Sequence, residues 1–259
     1  MLGKLMKYEW QSTWKLLLPA NLLIVFMTFF ACIAIRLNFD DIRNEGILFS
    51  AAMILVTYVG SMFVVMIGTA VYLIYRFYTS TFGDQGYLLH TLPVDKHNII
   101  IAKAVVSTAW VLFSSFLIYL SVLFIFASEE GVIPELMDSM EVFVVRAGGP
   151  STLFAGVMTL IAFVVSILAR VLKVAACLSL GQLSANHKLL MSFAFYFGIY
   201  LLQQIISSFY YAFLGLVNRR LDGFYYGETW EVTLIAGLVY TVLFYAVTWY
   251  TMEKKLNLE

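Results

Sequence analysis

Charge is what this sequence has least of. Only 12% of its 259 residues are Asp, Glu, Lys or Arg, where soluble domains carry about 25%, while 62% are hydrophobic. A water-soluble globule is excluded by that ratio. Cysteine is nearly absent, with Cys32 and Cys177 falling at opposite ends of the membrane in the topology developed below, so no disulfide joins them. The three histidines, His90, His97 and His187, stand in turns without the paired carboxylates or thiols that would complete a metal site. No HExxH and no phosphate-cradling GxxxxGK[ST] occurs, so the chain is not expected to hydrolyse ATP itself and is read as no enzyme.

What fills the sequence instead is uncharged apolar runs. Six segments, about 16–36, 47–76, 101–127, 151–175, 189–216 and 231–252, are long enough for a helix rising about 1.5 Å per residue to cross a hydrocarbon core of about 30 Å. Their interiors contain no Asp, Glu, Lys, Arg or His. Proton-coupled carriers relay protons through such groups inside the membrane, which argues against a carrier with its own ion coupling. Arg170 and Lys173 come nearest, late in the fourth segment, and are read as snorkelling to the interface.

An even number of spans puts both termini on one side. Lys4, Lys7, Lys15, Arg76, Lys96, Lys103, Arg170, Lys173, Lys188, Lys254 and Lys255 then flank one face, and only Arg36, Arg43, Arg146, Arg219 and Arg220 the other. Cytoplasmic flanks carry the Lys and Arg excess, so both ends are expected in the cytoplasm. The acidic residues lean the opposite way, so a formally neutral chain is positive inside and negative outside. The N-terminus lacks a cleavable-signal pattern and is expected to be retained.

Residues 1–15, MLGKLMKYEWQSTWK, predict an interfacial amphipathic helix, with Leu2, Leu5, Met6, Trp10 and Trp14 on one arc and Lys4, Lys7, Gln11 and Lys15 opposite. Glu9 intrudes on the apolar arc. The segment 128–150 predicts a short amphipathic helix between Pro134 and Gly148 in an acidic outer loop. Neutral polar residues Asn21, Thr57, Gln203 and Gln204 bind helices together or line a pathway; Asn21, Gln203 and Gln204 are the candidate pathway residues. Gly60, Gly68, Gly156 and Gly198 are candidate points of close helix approach.

The sharpest interruption is FGDQGYLLHTLPVDKHNIIIAK at 82–103. No proline falls between Gly46 and Phe82, so the second helix is expected to project beyond the lipid and end at Gly83 in a left-handed cap. Asp84 then caps a short helix over 85–91, halted by Pro93, and Asp95 caps the third long helix. Tyr87, Leu88 and Leu92, with His90 beside them, are bulky groups placed outside the bilayer that need burial, as in a partner's groove.

This run, the six-span plan, ACLSLGQLSANHKLLMSFAFYFGIY at 176–200 and the terminal EKKLNLE resemble the permease subunits of ABC-2 type ABC transporters, notably small stand-alone permeases of Gram-positive bacteria. The resemblance covers the whole chain as a single transmembrane domain and is most specific in GDQGYLLHTLPV. It implies an all-α polytopic protein of the bacterial cell membrane whose cytoplasmic coupling helix, between helices two and three, docks into a separate ATPase. Asp84, Gln85, Tyr87, Leu88, His90 and Leu92 would take that ATPase-coupling role.

Expected partners are then an ATPase dimer, which binds ATP and Mg, and a second permease subunit, the same or related, in a lipid bilayer and without nucleic acid. Cargo would be amphipathic or hydrophobic, such as an antimicrobial peptide, drug or lipid-like molecule. Family members often place re-entrant helices before the last span, and SSFYYAFLGLV could supply one by breaking the fifth helix near Gly215. A non-transporting scaffold or sensor holding a cytoplasmic regulatory partner is the alternative.

Overall fold

The structure is a computed structural model that describes residues 2–36, 45–83, 86, 95–128, 151–184, 187–220 and 229–254. Six helices account for nearly all of them: α1 (Leu2–Arg36), α2 (Glu45–Phe82), α3 (Lys96–Ser128), α4 (Ser151–Gly181), α5 (Lys188–Arg220) and α6 (Thr229–Lys254). No strand occurs among the described residues. All six helices are long and apolar enough to span a membrane, which fits a multi-pass membrane protein. Helix is the form such a chain must take, because in hydrocarbon each backbone N–H and C=O has to be satisfied within its own segment.

The observed helices contain the six expected spans and extend most of them. α2, with 38 residues, is about 57 Å long, well beyond the need of a bilayer. One boundary is corrected: no break separates an interfacial helix at 1–15 from a span at 16–36, because α1 runs through both. Its buried residues, Thr13, Leu17, Asn21, Ile24, Thr28, Ala31 and Ala34, recur every three or four positions and so lie on one unbroken face. Pro19 stands inside this helix, where the missing N–H removes one hydrogen bond without ending it. α5 likewise continues to Arg220 with no break at Gly215.

Packing divides the chain into two compact units, one comprising Met1–Tyr75 and Val105–Phe154, the other Arg76–Ala104 and Ala155–Glu259. In the first unit, Leu17, Leu73, Val106 and Trp110 form the core, with Met6, Tyr72 and Val111 against it. Trp110 is stacked on Trp10 at 4.7 Å between ring centroids and donates its indole N–H to Thr13 Oγ1 at 2.8 Å. A hydroxyl cluster joins α1, α2 and α3: Thr28 Oγ1 and Ser121 Oγ are 2.7 Å apart, and Tyr58 Oη is 2.6 Å from the same serine. Thr28 in turn donates to the Ile24 carbonyl at 2.7 Å.

The second unit has two cores. Ile100, Ala104, Leu172, Ala176, Phe244 and Met252 make one, and Phe77, Ala175 and Leu178 the other. α4 serves both and is the central helix, with 44% of its spanning window buried against 6% for α5. Close approach is made at glycines other than those singled out above. A Cβ at Gly60, Gly68, Gly156 or Gly198 would meet nothing within 4 Å, so these four face open space. At Gly181, by contrast, a Cβ would fall 1.9 Å from Ser192 Oγ and 2.7 Å from the Lys188 carbonyl oxygen. The turn from α4 into α5 closes through that contact, with His187 in the left-handed region at φ 57°.

Candidate functional site

The residues expected to couple the chain to a partner, Asp84, Gln85, Tyr87, Leu88, His90 and Leu92, lie outside the described residues, as does the expected amphipathic helix at 134–148. The two ends that carry the 84–94 segment are described. α2 ends at Phe82, and Gly83 follows as expected, although not through a left-handed cap. Glycine is needed there for room: a Cβ would lie 2.7 Å from the Thr79 carbonyl oxygen. At Gly86, whose N–H donates to the Gly83 carbonyl at 2.7 Å, a Cβ would lie 2.3 Å from the Thr81 carbonyl oxygen. The chain therefore turns back tightly on the last turn of α2.

At the other end, Asp95 precedes α3 and caps it through its backbone carbonyl, which accepts from Asn98 N–H at 2.9 Å. The next residues tie α3 to α6. Lys96 Nζ donates to the Met252 carbonyl at 2.9 Å, and a lysine at the C-terminal end of a helix also meets the negative end of its dipole. His97 Nδ1 is 2.6 Å from Tyr245 Oη, and its ring is stacked on Trp249 at 5.1 Å and 19°. Further along α3, the buried Lys103 donates to Ser80 Oγ and lies over the Phe77 ring at 5.8 Å, which fixes the end of α2 to the start of α3. Both ends of the 84–94 segment are thus set on one packed frame built from α2, α3 and α6.

Of the three candidate pathway residues, one belongs to the first unit and two to the second. Asn21 belongs to the first unit, is 1% exposed, and donates to the Leu17 carbonyl at 2.8 Å, while its Oδ1 has no partner. Gln203 and Gln204 belong to the second unit and point apart, as adjacent helical residues must, about 100° from one another. Gln204 is exposed, whereas Gln203 is partly buried and accepts a hydrogen bond from Lys173 Nζ at 3.1 Å.

Lys173 itself corrects the reading of a snorkelling side chain. Arg170 is exposed, but Lys173 is only 7% exposed, inside the second unit. Its ammonium lies 4.7 Å from the Tyr196 ring centroid and 5.9 Å from that of Tyr200. The signal that would have found it is on α5: Tyr196, Tyr200 and Gln203, spaced by four and three, make one helical face suited to a cation. An open cleft of about 370 Å³ is lined by Tyr78, His187, Lys188, Leu189 and Leu190. Among the described residues, no group of His, Cys, Asp or Glu is arranged to hold a metal ion. The chain matches no family model, no curated protein and no solved structure.

Proposed function

We propose that this chain is the membrane-spanning permease subunit of an ATP-driven exporter of the ABC-2 type, working with a separate ATPase dimer that binds ATP and Mg. The observation that carries the reading is GDQGYLLHTLPV, a run of turn-forming and bulky apolar residues set between the ends of two long apolar helices. The tight return at Gly83 and Gly86 and the ties of Lys96, His97 and Lys103 support it, because a rigid mount at both ends would transmit force to α2, α3 and α6 together. In this reading both termini are cytoplasmic, Tyr87, Leu88 and Leu92 enter a groove on the ATPase, and the cargo is amphipathic or hydrophobic.

Coupling requires that the 84–92 element bind the two nucleotide states of the ATPase with different affinity, since equal affinity would shift no equilibrium. The test is purification of the tagged chain from its native membrane in mild detergent, beside the variant Tyr87→Ala/Leu88→Ala. A stoichiometric ATPase that is lost in the variant, whose insertion is unchanged, is the expected result. Recovery of the chain alone, under conditions that keep a known ABC complex intact, would refute the reading and favour a scaffold or sensor.

A further inference from the structure

Lys173 is a buried cation with no anionic partner among the described residues. The residue is only 7% exposed, and its charge is met by one amide oxygen and two aromatic faces. No carboxylate lies within ion-pairing distance of it among the described residues. An ammonium has three N–H donors, and Gln203 Oε1 takes one of them. Arg170, one turn earlier on α4 and exposed, adds a second positive charge with no partner among the described residues. Two cations this close, in a region where an unpaired charge is costly, are an arrangement that a negative group would stabilise.

The surrounding groups are donors too. Tyr196 and Tyr200 are 38% and 48% exposed, and neither phenol has a hydrogen-bond partner among the described residues. With its oxygen occupied by Lys173, Gln203 offers its NH₂. The site therefore gathers a buried ammonium, an amide NH₂ and two phenols, all of which can donate to one oxyanion. That is the chemistry of an oxyanion site.

Its position selects the kind of oxyanion. Lys173 lies eight residues before the end of α4 at Gly181, about 12 Å along a helix of about 46 Å, so it falls toward one end of the helix and not at its middle. Both phenols are on α5, the least buried of the six helices, where Phe197, Leu201 and Leu202 are exposed. An apolar wall beside a buried ammonium fits an amphiphile with an anionic head, and basic pockets between transmembrane helices bind lipid headgroups in this way.

We infer that Lys173, Arg170, Gln203 and the hydroxyls of Tyr196 and Tyr200 form a binding site for the phosphate of an anionic phospholipid, with its acyl chains along the exposed face of α5. This inference is independent of the ATPase reading. It predicts a preference for phosphatidylglycerol over phosphatidylcholine, because neither positive charge is paired among the described residues and a choline head would bring a third.

The test is titration of the delipidated full chain in a maltoside detergent with phosphatidylglycerol, phosphatidylcholine or inorganic phosphate, with bound lipid counted by native mass spectrometry. Wild type is expected to hold one phosphatidylglycerol per chain in preference to phosphatidylcholine. Lys173→Met should weaken that binding about ten-fold or more, and Lys173→Arg should keep it, as expected for a charge-assisted contact. Should Lys173→Met fail to fold, Tyr196→Phe/Tyr200→Phe keeps both ring faces on the ammonium and removes only the hydroxyls; its expected loss is several-fold. Equal retention of phosphatidylglycerol by wild type and these variants would overturn the site. Displacement of the lipid by millimolar inorganic phosphate, with no preference between the two lipids, would overturn the lipid assignment and leave a free-phosphate site.

Discussion

The hydroxyl cluster of the first unit carries a directional argument that a single substitution tests. A hydroxyl has one proton to donate. Thr28 gives its proton to the Ile24 carbonyl at 2.7 Å, so the 2.7 Å contact between Thr28 and Ser121 requires Ser121 to be the donor. Ser121 then has only lone pairs for Tyr58, 2.6 Å away, and the phenol must donate to it. The chain of donation runs from Tyr58 to Ser121 to Thr28 to Ile24, linking α2, α3 and α1 in that order.

Substituting Ser121→Ala removes two interhelical bonds, each worth about 0.6 kcal/mol on average in membrane proteins, and leaves the buried phenol without an acceptor at about 1 kcal/mol or more. The expected loss is about 2 kcal/mol. Tyr58→Phe, in contrast, removes one bond and leaves no donor stranded, for about 0.6 kcal/mol. The double variant should be no less stable than Ser121→Ala alone, because the phenylalanine needs no acceptor. Reversible unfolding of the chain in mixed micelles by increasing dodecyl sulfate measures all three. Strictly additive losses, or Tyr58→Phe costing as much as Ser121→Ala, would refute the assigned direction.

Two further substitutions probe the packing of each unit. Thr13→Val keeps the shape but strips the acceptor from the Trp110 indole N–H, which is buried against α1, and should cost about 1–3 kcal/mol in the same unfolding assay. An unchanged stability would mean that the indole finds another acceptor at no cost. Gly181→Ala places a methyl against both Ser192 and the Lys188 carbonyl, so it should lower thermal stability in detergent, and adding Ser192→Gly should not restore it because the backbone oxygen remains in place. Full rescue by Ser192→Gly would show that the side chain alone sets the limit.

The six helices were legible because hydrophobic length is a direct signal in a membrane: a continuous uncharged run of twenty or more residues satisfies its backbone within itself only as a helix, where barrel strands are short and alternate. Boundaries were less so. The join at residues 15 and 16 was read from composition, where amphipathic gives way to uniformly apolar sequence, yet the backbone passes through it unchanged, since Thr13, Leu17 and Asn21 keep one helical face across the join. Glycines misled for a related reason. A glycine in an apolar run signals close approach only when a neighbour is there to use the space, and nothing in the sequence distinguishes Gly68, which faces nothing within 4 Å, from Gly181, which touches another helix.

Lys103 and Lys173 show why a count of charges near a membrane boundary underdetermines their roles. Both stand among the residues that set the expected orientation, and by the positive-inside pattern either would simply reach for water. In the structure both are buried, at 6% and 7% exposure: Lys103 donates to Ser80 and lies over the Phe77 ring, and Lys173 meets Gln203 and two tyrosines. Burial separates their consequences from those of an exposed neighbour such as Lys15. A snorkelling lysine can be exchanged for glutamine with little effect, because water solvates either group. A recessed ammonium whose partners are aromatic faces cannot, because glutamine lacks the charge that those faces attract. Lys103→Gln should therefore loosen the end of α2 from the start of α3, where Lys15→Gln should leave packing unchanged. Amide hydrogen exchange over 76–83 and 95–104 distinguishes the two, and equal protection in both variants would return Lys103 to the status of an interfacial charge.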